Sequence, residues 1–385
     1  MPHRGSWVSR ARGTQLKPIA SNCKKGKDLR IAVVSSYPPM PCGIGEYARS
    51  LAESLADRGH EVVVIATKWK NAPEVENGKV RVVRAWERGS EAFHRQILRA
   101  IAEEGPFDVI EFQYEYGLWP VIPLDPRGLW LLENSHDFAN SIVATLHTVR
   151  VRNDPMWKEY HERLIKLSDA IILHHVIQEI ALNSMITPEK VHVIPHGSDR
   201  LPGKREELNY ERPISLLYGL LRKDKGLEVA VRAFRKLRRG TLLLAGKPLK
   251  KEDEEYVKEI VKEFKGRIVW IDEYLSRERL GTLIRSSDYV LFPYKDYPND
   301  YGISGALHTV VGTGGKPLCS RTQRLIECWE VAKEATFSVG DYNALAKLIE
   351  KGLPEDVWGR LWRLGDHTSW QSVAILRERL YWELS

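Results

Sequence analysis

Cysteine is scarce in this 385-residue chain: Cys23, Cys42, Cys319 and Cys328 are the whole complement, with no CxxC pair and no histidine at metal-ligand spacing. That argues against a disulfide framework or a zinc site and predicts reduced thiols in a cytosolic protein. Long apolar runs are missing too. Stretches such as Ile31–Val34 and Val62–Ala66 are strand-sized, far short of the roughly 18–20 residues that span a bilayer. Glycine is plentiful, yet there is no GxGxxG fingerprint, which disfavours a nicotinamide dehydrogenase. No DxD-type motif stands where it would hold a divalent metal. No apolar stretch follows the basic N-terminus as a secretory signal would require.

What charge there is sits unevenly. Residues 1–30 carry Arg4, Arg10, Arg12, Lys17, Lys24, Lys25, Lys27 and Arg30 against Asp28 alone, an excess that equals the net charge of +7 for the whole chain. The remainder is neutral, so the basic character belongs to an extension over residues 1–28 and not to the body. A flexible tail is the plain reading; attraction to an anionic membrane surface is the sharper one, with no specific nucleic acid implied. The expectation is a cytoplasmic protein, peripheral at most to the inner membrane face.

At 43% apolar residues the chain has material for two α/β domains of ordinary size. From Leu29 onward strands and helices alternate. Arg30–Ser35 is a β-branched run, a Pro/Gly-rich turn follows, and Glu46–Arg58 puts Tyr47, Ala48, Leu51, Ala52 and Leu55 on one helical face. Glu61–Thr67 reads as the next strand, completing a βαβ unit of a parallel sheet. Strands are expected again at 108–112, 141–146, 170–173 and 190–194. A polar linker over 201–212 separates this domain (29–200) from a second (213–367). There the alternation restarts with strands at 214–218, 240–245, 267–271, 289–292 and 316–320. An amphipathic helix over about 370–384, within a C-terminal segment 368–385, is expected to cross back onto the first domain.

In open parallel sheets ligands bind beyond the carboxyl ends of the strands, so the loops there are where chemistry is sought. Gly43 and Gly45 open the first helix and allow backbone N–H groups to approach an anion. Gly219, Arg222 and Lys225 follow the first strand of the second domain, with two cations placed to converge on one diphosphate. Asp300 precedes Gly302-Ile303-Ser304-Gly305, a second anion-ready helix start. A plain tight turn, a solvated charge run and an ordinary N-terminal helix acid are the competing readings of these three loops. His147 and His196 fall at strand ends; His174 and His175 share that position with nothing else to mark them.

Together these segments resemble the retaining GT-B glycosyltransferases of family 4. The carriers are PPMPCGIGEYARSLAESLADRGHEV, VIEFQYEYG, ATLHT, VHVIPHG, LLYGLLRKDKGLE, LLLAG, SDYVLFPY and the terminal TSWQSVA. The resemblance implies two Rossmann-like domains facing across a cleft. By position it implies Gly43 and Gly45 near the donor phosphate and sugar, His147 against the donor sugar, and Arg222 with Lys225 against the departing diphosphate. Gly219, Gly302, Ile303, Ser304 and Gly305 would complete the donor site, and Gln113, Glu115 and His196 would shape the acceptor side. The substrates implied are a GDP- or UDP-hexose, mannose or glucose, and a saccharide, polyol or lipid-linked acceptor, with no divalent metal required.

The sequence departs from the family in places. Two glutamates spaced by seven residues are common there. Here Asn299 or Asp300 holds the first place, while His308, Thr309 and Val310 lie near the second. Leu220 stands where the basic loop usually has arginine, and Arg222 is its substitute. A non-catalytic sugar-nucleotide or partner-binding protein and a nucleotide-sugar epimerase are the alternatives on the same fold.

Overall fold

The computed structural model describes residues 27–118, 125–187, 190–248, 250–263 and 266–385. All but the last two positions of the basic extension expected over residues 1–28 lie outside this set.

Arg30–Ser35 and Glu61–Thr67 are buried along nearly their whole length, as strands covered on both faces must be. The first sheet has eight strands. In spatial order they are Val75–Glu76, Arg81–Trp86, Glu61–Thr67, Arg30–Ser35, Phe107–Tyr114, Ala139–Leu146, Ala170–Leu173 and Val191–Val193. All neighbours are parallel except the short Val75–Glu76 pair. The second sheet orders six parallel strands as Ile268–Ile271, Thr241–Ala245, Ile214–Tyr218, Tyr289–Phe292, Pro317–Ser320 and Thr336–Phe337. In each sheet the first long strand lies inside, and the order reverses beside it. That reversal is the switch point outside which doubly wound sheets bind ligands.

The first helix spans Gly43–Asp57 rather than Glu46–Arg58. The strand Arg81–Trp86 and the helices Phe93–Glu104, Pro126–Ser135, Pro155–Lys166 and Val176–Asn183 fill the first domain beyond the segments singled out in the sequence. Two of these helices start on one local device: Asp125 and Asp154 cap the N–H of Arg127 and Met156, each with proline at the first helical position.

The last helix, Trp370–Leu384, packs on Gly43–Asp57. Its Arg377, fully buried, pairs with Glu111 at 2.7 Å and donates to the Tyr47 hydroxyl at 2.6 Å. The chain thus passes between domains twice, and the two crossings touch: Ser198 bridges Ser369, with the Ser198 N–H on the Thr368 carbonyl at 2.7 Å. Among the described residues no helix is long and apolar enough to cross a membrane.

Candidate active site

Two walls meet where the strand ends of the two sheets approach. On the first, the loop after Arg30–Ser35 turns into the helix beginning at Gly43. A Cβ at Gly45 would come within 3.3 Å of Ser36 Oγ and the Tyr37 backbone, so glycine lets the helix start close onto the strand end. At Gly43 a Cβ would meet nothing within 4 Å.

Behind this loop lies a set of buried polar side chains bonded to one another. Glu111 and Gln113 share a strand and Thr145 lies on its neighbour. Glu111 accepts from Arg377, from Thr145 Oγ1 at 2.6 Å and from the Tyr381 hydroxyl. Gln113 Nε2 donates to Glu111 at 2.6 Å, which turns Gln113 Oε1 toward His147 Nε2 at 2.8 Å. Tyr47 stands edge-on to the His147 ring at 4.6 Å. Burial holds His147 well below the usual histidine range, so its neutral imidazole is favoured. His174, at the end of the adjacent strand, faces His147 Nδ1 at 3.4 Å. Glu115 accepts from Thr148 Oγ1 at 2.8 Å. Burial pushes its carboxyl above the usual range, against the pull of Arg324 and Arg150.

The second wall is built from tight backbone and cations. Gly219 ends the strand Ile214–Tyr218, its N–H on the Ala245 carbonyl at 2.9 Å. Arg222 is held by both oxygens of Asp224, at 2.8 and 2.7 Å. Among the described residues Lys225 has no ion-pair partner; its Nζ lies 4.0 Å from the centre of the Tyr294 ring. Gly226 adopts φ +66° and passes so close to the Pro293 carbonyl that no side chain fits, which locks this loop to the one after Tyr289–Phe292.

The third loop crosses between domains. Asp300–Gly302 pairs antiparallel with Thr148–Arg150. Arg150 grips both oxygens of Asp300 at 2.6 and 2.7 Å, so the carboxylate expected at the donor sugar is engaged as an interdomain clasp. A Cβ on Gly302 would stand 2.9 Å from the His147 carbonyl, and one on Gly305 would stand 2.8 Å from His196 Nε2. Ile303 is buried, and Ser304 caps the helix Gly305–Thr313 by accepting the Leu307 N–H at 3.3 Å. Where the family's second glutamate is expected, His308 is fully buried: its Nε2 meets Glu327 at 2.8 Å and its Nδ1 meets Ser198 Oγ at 2.8 Å. Burial alone would raise Glu327, but His308, with His175 and His196 beyond it, holds the carboxyl below its usual range. His196 stacks on His308 with ring centres 5.0 Å apart, which ties this acceptor-side candidate to the crossing at Ser198.

Arg324 also lies at this site. Its Nη1 lies 3.6 Å from the Cβ position of Gly302, and its guanidinium feels Glu115 without reaching ion-pair distance. Its carbonyl accepts the Ser304 N–H at 3.0 Å, so the residue is tied to the start of the Gly305–Thr313 helix. A lone arginine after a strand carries no periodic signal.

Residues 41–200 match Glycosyltransferase Family 4, and no curated protein matches the chain by sequence. Solved structures resemble it over nearly its whole length. Sucrose-phosphate synthase from Thermosynechococcus elongatus superposes with a TM-score of 0.71 at 19% identity, covering 92% of this chain and 98% of that one. The HepE protein of Anabaena, solved with UDP-glucose, gives 0.69 at 12% identity over 92% and 100%. The catalytic domain of starch synthase IV from Arabidopsis thaliana, bound to ADP and acarbose, gives 0.65 at 16% identity over 93% and 99%. The fold is GT-B.

Proposed function

We propose that this chain, a GT-B protein whose residues 41–200 match Glycosyltransferase Family 4, transfers a hexose from a nucleoside-diphosphate sugar to an acceptor hydroxyl with retention of configuration. One observation carries this reading. Lys225 and Arg324, cations without an ion-pair partner among the described residues, stand on the same wall as the Ser304-capped helix start, opposite His147 and Glu115.

Breaking the sugar–phosphate bond leaves negative charge on the diphosphate. Preorganised donors aimed at that charge are worth more in a cleft than in water. Lys225, Arg324 and the Gly302–Gly305 amides supply them, with no divalent ion required. Arg222 joins them to the extent that phosphate displaces or shares Asp224. The bond from C1 to the phosphate oxygen breaks, the acceptor oxygen bonds C1 from the same face, and its proton passes to the leaving phosphate. No covalent nucleophile is assigned. His147, held by Gln113, and Glu115, held by Thr148, orient the hydroxyls of the two sugars.

GDP- or UDP-hexose, mannose or glucose, is the donor class put forward. UDP-glucose in HepE and ADP in starch synthase IV keep the base open. The acceptor is a saccharide, polyol or lipid-linked saccharide. The test is incubation with UDP-, GDP- and ADP-hexoses, with and without a chelator, followed by mass spectrometry. Transfer to an added acceptor, or slow donor hydrolysis without one, is the expected result. Donor binding with neither outcome would instead support a non-catalytic binding protein.

A further inference from the structure

The buried link between His147 and His174 has a feature that follows from which atoms can hold protons. Arg377 and Glu111 form a buried ion pair, so the Gln113 amide must turn its NH₂ to the carboxylate and its oxygen to His147. His147 Nε2 therefore carries the proton and donates. At the other end, His174 Nδ1 lies 3.1 Å from the Ile194 carbonyl, which can only accept, so His174 Nδ1 carries a proton too. Two neutral imidazoles hold two ring protons, and both are now assigned. The inner nitrogens, His147 Nδ1 and His174 Nε2, face each other as bare lone pairs at 3.4 Å, the longest link in this series.

We infer that His147 and His174 form a proton-deficient pair that takes up one shared proton when an anionic diphosphate binds beside His147. The inference rests on the nucleotide-sugar reading of the cleft. Uptake is balanced by the buffer: its acid form loses a proton, and the pair becomes one imidazolium with the proton between Nδ1 and Nε2. The other polar and charged groups packed around the pair do not supply that proton. Tyr47, from the first helix, has its hydroxyl toward Arg377. Gln178, from the Val176–Asn183 helix, donates to the carbonyls of Leu146 and His147. Arg377 and His196 oppose added positive charge, and burial opposes it most. The pair therefore stays neutral until an anion compensates. His174 is a positioning residue here, acting through His147.

The linkage has a definite sign: a ligand that brings a proton with it binds more tightly as pH falls. Calorimetric titration of the full chain with UDP, GDP and ADP, in buffers of different ionisation enthalpy at pH 7.5, counts the protons. About one proton taken up per nucleotide bound is expected, because the pair has one vacant position. In His174→Gln the amide Nε2, which overlays the Nε2 position of the histidine it replaces, donates to His147 Nδ1, and uptake falls to near zero while nucleotide still binds. No uptake in the native protein, or the same uptake in the variant, overturns the inference. Nitrogen NMR of the histidine rings decides it without nucleotide. His147 protonated on Nε2 and His174 on Nδ1 is the expected pattern; a proton already on either inner nitrogen refutes it. If no nucleotide binds, the transfer reading fails while the ring tautomers still judge this pair.

Discussion

The two walls of the cleft are built by opposite means. The first-domain wall ties its polar groups to one another: Glu111, Gln113, Thr145, His147, Arg377 and Tyr381 form one bonded set with almost no exposed surface, in which Arg377 Nε and the facing nitrogens of His147 and His174 are left over. The second-domain wall leaves charge unanswered. Lys225 rests on an aromatic face and Arg324 stops short of Glu115. A bonded network fixes positions, whereas an unpaired cation keeps its field for a ligand. On this view the first wall is costly to break for stability and the second for turnover.

The sharpest way to break that distinction is Arg377→Met. It leaves Glu111 buried and unpaired, which typically costs about 3–5 kcal/mol. Denaturant unfolding should show that loss, and stability within experimental error of the native chain would mean the first wall is not held by this pair. Lys225→Ala is the counterpart on the second wall. Turnover should fall on the order of 10²–10³-fold, as for a lost oxyanion donor, with the unfolding midpoint nearly unmoved. A change in stability without a change in rate would invert the comparison.

Gly305→Ala probes where the walls touch. Its Cβ would meet His196 Nε2 at 2.8 Å, a ring already stacked on His308. Overpacking of this kind costs about 1–3 kcal/mol. Stability and donor affinity should fall together, because the helix start must shift to make room; a fall in only one would show the contact is softer than it looks.

These contrasts also explain what the sequence made legible. Strands such as Ile214–Tyr218 and Tyr289–Phe292 announce themselves because a strand covered on both faces must be apolar throughout. The helix Val176–Asn183 does not, since its inward residue Gln178 is polar and serves the carbonyls of Leu146 and His147. Gly302 and Gly305 are glycines for a reason read only in three dimensions, the approach of His147 and His196 from more than 100 positions away. Likewise Asp300 and Arg222 look free in sequence. Their bidentate partners are Arg150, in the other domain, and Asp224, two residues along in an irregular turn whose geometry no periodicity specifies.

Glu115 gives the finest test, because burial works against its ionised form. Burial raises its carboxyl pKa in the folded chain above the unfolded value. The folded state then binds more protons in the window between the two values, so stability falls as pH rises through it. Glu115→Gln removes the titrating group and keeps the acceptor for Thr148. Thermal unfolding should find the variant more stable than the native chain at pH 7, and the difference should vanish below the usual carboxylate range. Turnover should move the other way if Glu115 orients a sugar hydroxyl, since groups kept in an unfavourable state at functional sites are retained for what they do and not for the stability they cost. A variant that differs from the native chain by the same amount at both pH values would show that burial does not shift the Glu115 carboxyl.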